Sequence, residues 1–568
     1  MKKLRFLSLS QYFYIITALL FIFLACETST NSNNGNDPNA DKINAASPSI
    51  TLHPQGATYA LNETAAALNV DATVSDEGEL SYQWYRSATE NSGGTPVGTE
   101  KSYTPNTVEG GSVWYYAVVT NTNNAVDGNK TNTATSQRAR ITVLRPIQSL
   151  TISGSGKTQY VIGEPLDFSG LILTATFADN STENLTYLIG PEHITGYNPL
   201  IPGTQAVSVS FLGVNSNTVN VTVLTLAQRI EAAPSGSTIF LYGDEVIDSY
   251  IRIEKTLTLR GVGSERILSL ETSNPIFYID YPGKLTLDEN VTLKGPGSGI
   301  HNQYALVVLL NGELVMKDGS KITGNYYGRD ALVGDILGSG SGVFLTSRSS
   351  SYPTTFTMEG GEISNNITGS GAGVKLHNGQ FIMGGGIITN NHAWVTNGDG
   401  GGGVFVYNAS FIMRGGKITS NSASDNGGGV FGSWSFLTME GGEISNNTAW
   451  SGGGVFATVT FTMTGGEIFG NKAVYSGWNY PHGGGIYVHL PSNFSKTGGT
   501  IYGADGGVKA NKVVDTDGVT LINQSGHAIY AGDDRYDYRY IDSTVTGNLG
   551  IEFNSSGNLI SESGNWSD

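Results

Sequence analysis

The sequence is poor in cysteine, in positive charge and in helical periodicity. Cys26 is the single cysteine among 568 residues, which excludes an internal disulfide. The net charge of −17 argues against a nucleic-acid partner and against docking on anionic lipid by charge alone. Helical spacing of apolar residues is missing after the first 25 residues, except briefly near Leu226. With 77 glycines and 39% hydrophobic residues, the chain is expected to be all-β and to hold several domains.

The first 26 residues carry the pattern of a processing signal. A basic start precedes Tyr12–Ala25, an apolar run that is too short for a comfortable membrane span. The run ends in Phe23-Leu24-Ala25-Cys26, which resembles a bacterial lipoprotein lipobox. The resemblance implies a lipid on Cys26 and an extracytoplasmic chain anchored to a bacterial membrane at the cell surface. An uncleaved anchor and plain secretion are the alternatives. Residues 27–47 are polar and are expected to form a flexible tether.

Residues 48–144 show short alternating strands. In Leu80–Ser87, Tyr82 and Trp84 fall on one face of a strand, and Val113–Asn121 is a second strong strand. A buried tryptophan that faces a tyrosine-rich strand is typical of an immunoglobulin-like sandwich. The segment resembles bacterial Ig-like domains, so we expect an Ig-like β-sandwich here.

Residues 145–224 predict a second sandwich. Tyr160–Thr182 and Gly203–Val223 resemble the group 3 bacterial Ig-like domain over nearly the whole segment. The resemblance implies an extracellular spacer that is sometimes adhesive. A fold alone does not establish a function, so the prediction for this segment is a stalk.

Residues 225–568 begin with a short amphipathic helix. Leu226, Ile230 and Ala233 have near-helical spacing, and Pro234-Ser235-Gly236 ends the helix. A short helix followed by isoleucine-rich strands resembles the N-terminal cap of a right-handed parallel β-helix. We therefore expect that fold from residue 225 onward.

One pattern recurs five times within this region. The copies are Phe356–Asn366, Phe381–Asn391, Phe411–Asn421, Leu437–Asn447 and Phe461–Asn471. Each copy has Met at its third position, Gly-Gly at its fifth and sixth, and Ile at its eighth. We expect the Phe or Leu, Met and Ile side chains to stack inside the fold, Gly-Gly to turn a corner, and the closing Asn residues to bond along the stack.

A strand such as Gly403–Val406 precedes each copy, which predicts three short strands per coil. The GGGVF and I-x-x-N elements are similar to repeats of the polymorphic outer-membrane proteins, an adhesive family. Outward positions carry charge, and we expect Arg414 beside Glu440 and Lys417 beside Glu443 on adjacent coils.

Functional residues of repeat folds lie in the insertions between repeats, usually on one face. Here the insertions follow the Asn turn and are rich in aromatic residues. The candidate binding residues are Tyr326, Tyr327, Trp394, Trp450, Tyr475, Trp478 and Tyr480. Exposed aromatic rings stack on sugar rings and also act as hot spots for protein partners. The alternative is that they cover the flank of the fold.

Many right-handed β-helices are pectate-lyase-like lyases or glycosidases, so an enzyme must be considered. The weak catalytic candidates are Asp399, Asp425 and His392, with Ca²⁺ as a cofactor only in that case. No metal-ligand spacing is present, and no cofactor is otherwise expected. The sequence therefore predicts a lipid-anchored surface adhesion protein that binds a glycan or a protein. A polysaccharide lyase or glycoside hydrolase and a structural envelope spacer are the alternatives.

Overall fold

The computed structural model describes residues 42–328, 341–347, 352–394, 400–475, 481–489, 491–517, 519–522, 526–532, 538–553 and 559–566. Cys26 and most of the expected tether lie outside these residues. The chain divides into two compact units, Met1–Ser149 with Ala175–Glu183 and Leu150–Thr174 with Asn184–Asp568. Among the described residues, no helix has the length and apolar character needed to cross a bilayer.

The first unit contains an Ig-like sandwich. Its strands are Ser49–Leu52, Ala57–Ala60, Leu68–Asn69, Asp71–Thr73, Glu79–Ser87, Thr95–Gly98, Ser102–Tyr103, Gly111–Thr122, Thr131–Thr135 and Ala139–Leu144. Trp84 is fully buried and donates its indole N–H to the Glu100 carbonyl at 2.9 Å. Tyr103 packs between Trp84 and Tyr115. The expected core around Trp84 is therefore present.

A second set of short strands follows. They are Ile147–Gly154, Gln159–Val161, Leu171–Phe177, Thr182–Asn184, Ile194–Thr195, Gly203–Phe211, Val214–Asn215 and Val219–Leu224, with 3₁₀ turns at Thr186–Leu188 and Pro191–His193. Alternate residues of Gly203–Phe211 and Val219–Leu224 are buried, and these two strands pair antiparallel. This period of two is the reason that the segment forms a sheet with one buried face.

Helix α1, Leu226–Ala232, covers the start of the next fold, as the sequence predicts. Thr225 caps the helix by accepting from the Gln228 backbone N–H, and the Gln228 side chain accepts from the Thr225 N–H in return. Leu226 and Ile230 are buried in the same core as the strands that follow. The carboxylate of Glu245 accepts from the Leu226 N–H at 2.7 Å, and burial raises its pKa.

The rest of the chain is a right-handed parallel β-helix, in which strands from successive coils stack into ladders. Ladder A holds Ile251–Ile253, Phe277–Asp280, Val307–Leu310, Val343–Thr346, Val374–His377, Val404–Tyr407, the first part of Val430–Met439, the first part of Val455–Met463, Ile486–His489 and Ile529–Gly532. Ladder B holds Ser237–Leu241, Thr256–Gly261, Lys284–Leu287, Glu313–Met316, Thr355–Met358, Gln380–Met383, Ser410–Met413, the later parts of Val430–Met439 and Val455–Met463, and Phe494–Lys496.

Ladders C and D complete the coils. Ladder C holds Glu245–Val246, Arg266–Ser269, Val291–Lys294, Ser320–Thr323, Glu362–Ser364, Ile387–Thr389, Lys417–Thr419, Glu443–Ser445, Glu467–Phe469 and Thr500–Ile501. Ladder D holds Ile367–Thr368, His392–Ala393, Ser422–Ala423, Thr448–Ala449, Lys472–Val474 and Lys512–Val514. Ladder D corrects the expectation of three strands per coil, because the residues after each Asn turn form a short fourth strand. Short 3₁₀ turns lie at Gly297–Gly299 and Gly507–Lys509, and antiparallel strands Tyr538–Ile541, Leu549–Phe553 and Leu559–Ser563 follow ladder A.

The repeat builds the interior as predicted. The five repeat methionines and Met316 are fully or almost fully buried. The Phe356 and Phe381 rings stack with centroids 4.6 Å apart, and the Phe381 and Phe411 rings stack at 5.0 Å. Because equivalent residues pair in register on successive strands, each side chain packs on its own copy in the next coil. The all-β fold class is therefore confirmed.

The closing asparagines form a buried ladder of amides. The Nδ2 of Asn391 donates to the Oδ1 of Asn421 at 3.0 Å, and the Nδ2 of Asn421 donates to the Oδ1 of Asn447 at 3.1 Å. The same oxygens also accept from backbone N–H groups of the preceding coil. The residue before each ladder asparagine, such as Asn446, takes a left-handed conformation that turns the chain. The ladder satisfies polar groups that the coil buries.

Outward charges pair across coils as expected. The Arg414 Nε lies 3.1 Å from a carboxylate oxygen of Glu440, and the Lys417 Nζ lies 3.0 Å from one of Glu443. All four side chains are substantially solvent-exposed, so these pairs contribute little to stability.

Candidate functional site

The loops that follow ladder D hold the predicted aromatic residues, and the structure packs several of them down. Tyr327 is only 4% exposed, so the expectation that it is displayed on the surface is wrong. The Trp394 indole N–H donates to the Tyr327 carbonyl at 2.6 Å, and the two rings stack with centroids 6.4 Å apart. Trp394 therefore shields Tyr327 from water. Tyr326 is half-buried against His301.

Trp450 and Tyr475 occupy the same edge of the β-helix. Trp450 directly follows the ladder D strand Thr448–Ala449, and Tyr475 directly follows Lys472–Val474. Both are half-buried. Trp478 and Tyr480 lie outside the described residues. The described aromatic residues of this edge therefore cover its flank and leave only parts of their rings in contact with water.

The three weak catalytic candidates, Asp399, Asp425 and His392, do not form a described catalytic cluster. Asp399 lies outside the described residues. Asp425 is buried, and its carbonyl accepts from the Trp450 N–H at 2.7 Å. The His392 Nδ1 lies 2.8 Å from the Ser422 hydroxyl. Within the described part of the chain, no three His, Cys, Asp or Glu side chains are grouped so that they could hold a metal ion.

Ladder A carries an aromatic stack on its outer side that sequence reasoning did not identify. Val404 and Val406 point into the core, whereas Phe405 between them points outward. The outward rings of successive coils stack nearly parallel, 4.7–5.5 Å apart; they belong to Phe405, Phe431, Phe456, Tyr487 and Tyr530. Glycines such as Gly401, with φ +78°, lie against these rings, and a Cβ there would lie 2.9 Å from the Phe405 Cβ. The GGGVF motif thus encodes a covered ring stack.

At the N-terminal end of ladder A no such glycine segment covers the outward side chains of the described strands. A groove of about 380 Å³ lies there. We call it the tyrosine groove. Its lining includes Tyr250, Arg252, Asn274, Tyr278, Asp280 and Tyr304. Tyr250 is 53% exposed, and its ring centroid lies 6.0 Å from that of Tyr278. Aromatic faces and hydrogen-bonding groups therefore converge on one concavity, which is typical of a small-ligand or sugar site.

An ion pair crosses the floor of the tyrosine groove. The Arg252 guanidinium donates to the Asp280 carboxylate at 2.8 Å and also lies 2.9 Å from Glu254. The hydrogen bond to Asp280 raises the pKa of Arg252. The arginine therefore stays charged and fixed, and it presents N–H donors beside the tyrosine rings.

The turn from ladder A to ladder B bears a second exposed aromatic set, which we call the corner row. It consists of Tyr281, Tyr352, Tyr407, Trp434 and Phe436. Trp434 and Phe436 are 78% and 68% exposed, and Tyr407 is 42% exposed. Tyr281 and Tyr352 form a pair with ring centroids 4.1 Å apart. The sequence signal for this row is an aromatic residue at the end of a ladder A strand or within six positions after it.

His377 lies beside the corner row and is held neutral. Its ring lies against Phe344, Phe405 and Tyr407, and burial together with Lys375 lowers its pKa to about 4. Because the unfolded chain has the ordinary His pKa, it takes up a proton first as the pH falls. The stabilising contribution of neutral His377 is therefore complete above pH 6.5 and is lost toward pH 4.

We expect His377→Thr, which copies Thr346 of an adjacent coil, to flatten this pH dependence. Between pH 7 and pH 4 the wild-type chain should lose roughly 1–2 kcal/mol more unfolding free energy than the variant, after allowance for solvent around the half-buried ring. Urea unfolding at several pH values measures the difference. Parallel pH profiles for the two chains would contradict the burial of a neutral imidazole.

Comparisons with known proteins agree with parts of this architecture. The family model for the bacterial Ig-like domain (group 3) matches residues 154–223, which confirms that resemblance for the second sandwich. Pectate lyase L of Thermoclostridium stercorarium is 34% identical over 86 residues, which cover 14% of this chain and 6% of that protein. The chain thus spans a small fraction of that relative.

Two solved structures are also similar to parts of the chain. The crystal structure of Rst D1-D2 is 12% identical and covers 31% of this chain and 98% of its own, with a TM-score of 0.15. Sidekick-1 immunoglobulin domains 1-5 is 14% identical and covers 35% of this chain and 43% of its own, also with a TM-score of 0.15.

Proposed function

We propose that this chain is a lipid-anchored surface protein that binds a polysaccharide on its β-helix, with the tyrosine groove as the binding site. The observation that carries the proposal is the convergence of three tyrosines, Arg252, Asp280 and Asn274 on one groove of about 380 Å³. Tyrosine faces stack on the apolar faces of sugars, while guanidinium, carboxylate and amide groups bond sugar hydroxyls. An Ig-like domain of a surface type, a parallel β-helix and a partial similarity of the chain to a pectate lyase support this proposal.

The proposed cellular setting rests on the sequence around Cys26. Cys26 is the proposed lipid attachment site, and the membrane is the proposed partner of that lipid. The Ig-like sandwiches are proposed to act as spacers. Adhesion through a bound glycan is the proposed outcome.

A polysaccharide lyase or glycosidase is the second candidate, favoured by the similarity to pectate lyase L. Its chemistry would require a base and a means of neutralising a carboxylate, or two carboxyl groups at a defined separation. Of the candidate catalytic residues, Asp425 is buried and His392 forms a hydrogen bond with the Ser422 hydroxyl. The binding proposal is preferred because the tyrosine groove brings together aromatic rings that can stack on a sugar and polar groups that can hydrogen-bond its hydroxyls.

We expect Tyr250→Ala to lower retention on the bound polysaccharide by about tenfold, since one exposed stacking face is lost. The side chain is 53% exposed, so the fold should be unaffected. Tyr187→Ala is the control, because Tyr187 is comparably exposed in the second sandwich. Affinity electrophoresis through a panel of plant, bacterial and host polysaccharides measures retention. Equal retention of both variants and the wild-type chain would contradict the assignment of the groove.

A further inference from the structure

The corner row contains a turn whose conformation does not suit its residue. Successive coils place Asn378 and Asn408 in the left-handed region at the turn from ladder A to ladder B. Register places Trp434 at the equivalent position one coil further, with φ +53°. Asparagine tolerates this conformation, whereas a bulky side chain is strained there. Because Trp434 is 78% exposed, its ring adds little packing to offset that strain.

The strained turn is nevertheless held firmly. Ser435, between the two exposed rings, is buried, and its hydroxyl lies 2.6 Å from the Ser433 carbonyl and 3.2 Å from the Val406 carbonyl. The Ala409 N–H donates to the same hydroxyl. With Ser435 turned inward, Trp434 and Phe436 are both left on the solvent side. The hydrogen bonds of Ser435 therefore hold the backbone that carries both exposed rings in one conformation, which lowers the entropic cost of binding.

The corner row runs along the β-helix axis. Tyr281 follows the strand that ends at Asp280, and Trp434 lies five coils further along ladder A. At roughly 4.8 Å per coil the two ends are about 24 Å apart. Amides lie between the rings, since the Asn408 Nδ2 donates to the Asn378 Oδ1 along the same corner. Asp280 and Leu310 belong to both the corner strands and the tyrosine groove, so groove and row are adjacent.

The corner is also uncharged around Tyr407 and Trp434. The turns at 377–380, 407–410 and 433–436 contain no Asp, Glu, Lys or Arg. An acidic polymer would find no cation there, in a chain whose net charge is −17. A neutral sugar chain presents both apolar ring faces and hydroxyl groups. The aromatic rings of the corner row can stack on the ring faces, and the neutral amides between them can hydrogen-bond the hydroxyls.

We infer that the corner row is a second glycan subsite, which takes an uncharged linear polysaccharide lying along the β-helix axis from the tyrosine groove to Trp434. The inference rests on the proposed function, because it extends the same bound polymer. A polymer long enough to reach Trp434 gains contacts that a short oligosaccharide in the groove cannot make. Affinity therefore rises with chain length.

The test is Trp434→Asn, which copies the chain's own Asn378 and Asn408 and so removes the ring without removing the turn. The ligands for calorimetric titration are cello-, xylo- and manno-oligosaccharides from disaccharide to decasaccharide. Oligogalacturonates of the same lengths are the acidic comparison ligands. Phe240→Ala is the control variant, because Phe240 is also an exposed aromatic residue. The wild-type chain and the control should bind the longest uncharged ligand about tenfold more tightly than the shortest. Trp434→Asn should lose that gain and keep its affinity for the short ligand.

Five outcomes overturn the inference. If Trp434→Asn keeps the gain, or if affinity does not depend on length, the subsite is refuted while groove binding stands. If only oligogalacturonates show the gain, the ligand is acidic. If the substitution instead abolishes self-association in sedimentation velocity, the corner row is an interface between copies. If neither short nor long ligands of any class bind the wild-type chain, the proposed function falls as well.

Discussion

Replacing Asn447 by alanine should lower the unfolding free energy of the β-helix by about 4 kcal/mol, because the substitution breaks a buried hydrogen-bond ladder. Asn447 is fully buried, and its Nδ2 donates to the Ile418 carbonyl and to the Asn471 Oδ1. Its Oδ1 accepts from the backbone N–H and the Nδ2 of Asn421. Alanine would leave these partners in a place that water does not reach. Equilibrium urea unfolding measures the loss.

Asn446→Gly is the control for this prediction. Asn446 is exposed and left-handed, and the equivalent residue of the next coil is Gly470 with φ +66°. Glycine tolerates that conformation, so the control should change the unfolding free energy by less than about 1 kcal/mol. If the two variants proved equally stable, the amide ladder would not be a principal source of β-helix stability.

Gly386→Ala should destabilise the β-helix by about 3 kcal/mol, because both its backbone conformation and its surroundings exclude a side chain. The φ of Gly386 is +77°, and a Cβ would lie 2.7 Å from the Gly361 carbonyl oxygen and 2.6 Å from the Met358 methyl carbon. The carbonyl belongs to the same corner of the preceding coil, so it cannot move without breaking the ladder. The thermal unfolding midpoint by calorimetry measures the change.

The matched control lies two residues away. At Gly384 the nearest atom to a new Cβ is the Met358 carbonyl oxygen at 3.7 Å, and the other copies carry Glu359, Arg414, Glu440 and Thr464 at this position. Gly384→Ala should therefore leave the midpoint unchanged or raise it slightly. A lower midpoint for Gly384→Ala than for Gly386→Ala would contradict the described corner.

The interior could be predicted from the sequence because each repeat position has one local task. Met413 must fill the space between its copies in adjacent coils, and Gly416 must turn a corner with φ +78°. Any departure would be visible as a break in the pattern. The strands of ladder D could not be predicted because they are too short to show a pattern. A strand such as Ser422–Ala423 has two residues, and two residues show no alternation.

The exposed aromatic residues could not be located from the sequence. Long insertions suggested that Trp394 protrudes, yet its ring covers Tyr327, which lies two coils earlier. Trp434 sits in a turn of ordinary length, and its strained conformation becomes visible only when coils are placed in register with Asn408. Which ring meets water depends on contacts between coils, and those contacts are not encoded in loop length.

Binding and cleavage make different demands on the β-helix surface. A lyase or glycosidase needs an ionisable group placed within reach of a sugar, whereas retention needs only stacking faces and hydroxyl partners. The tyrosine groove offers Tyr250 and Tyr278 for stacking, and its arginine is already paired with Asp280. That pair fixes the donor geometry and leaves the carboxylate as an acceptor. Retention without turnover is therefore the expected behaviour.

The most direct test incubates the purified chain with the polysaccharide panel, with and without Ca²⁺, and measures retention and product release in the same samples. The account predicts retention of an uncharged polysaccharide, loss of retention in Tyr250→Ala, and no release of oligosaccharides. Release of oligosaccharides, above all from pectate with Ca²⁺, would contradict the account and make the β-helix an enzyme. Absence of retention for every polysaccharide would contradict the proposed glycan-binding function itself.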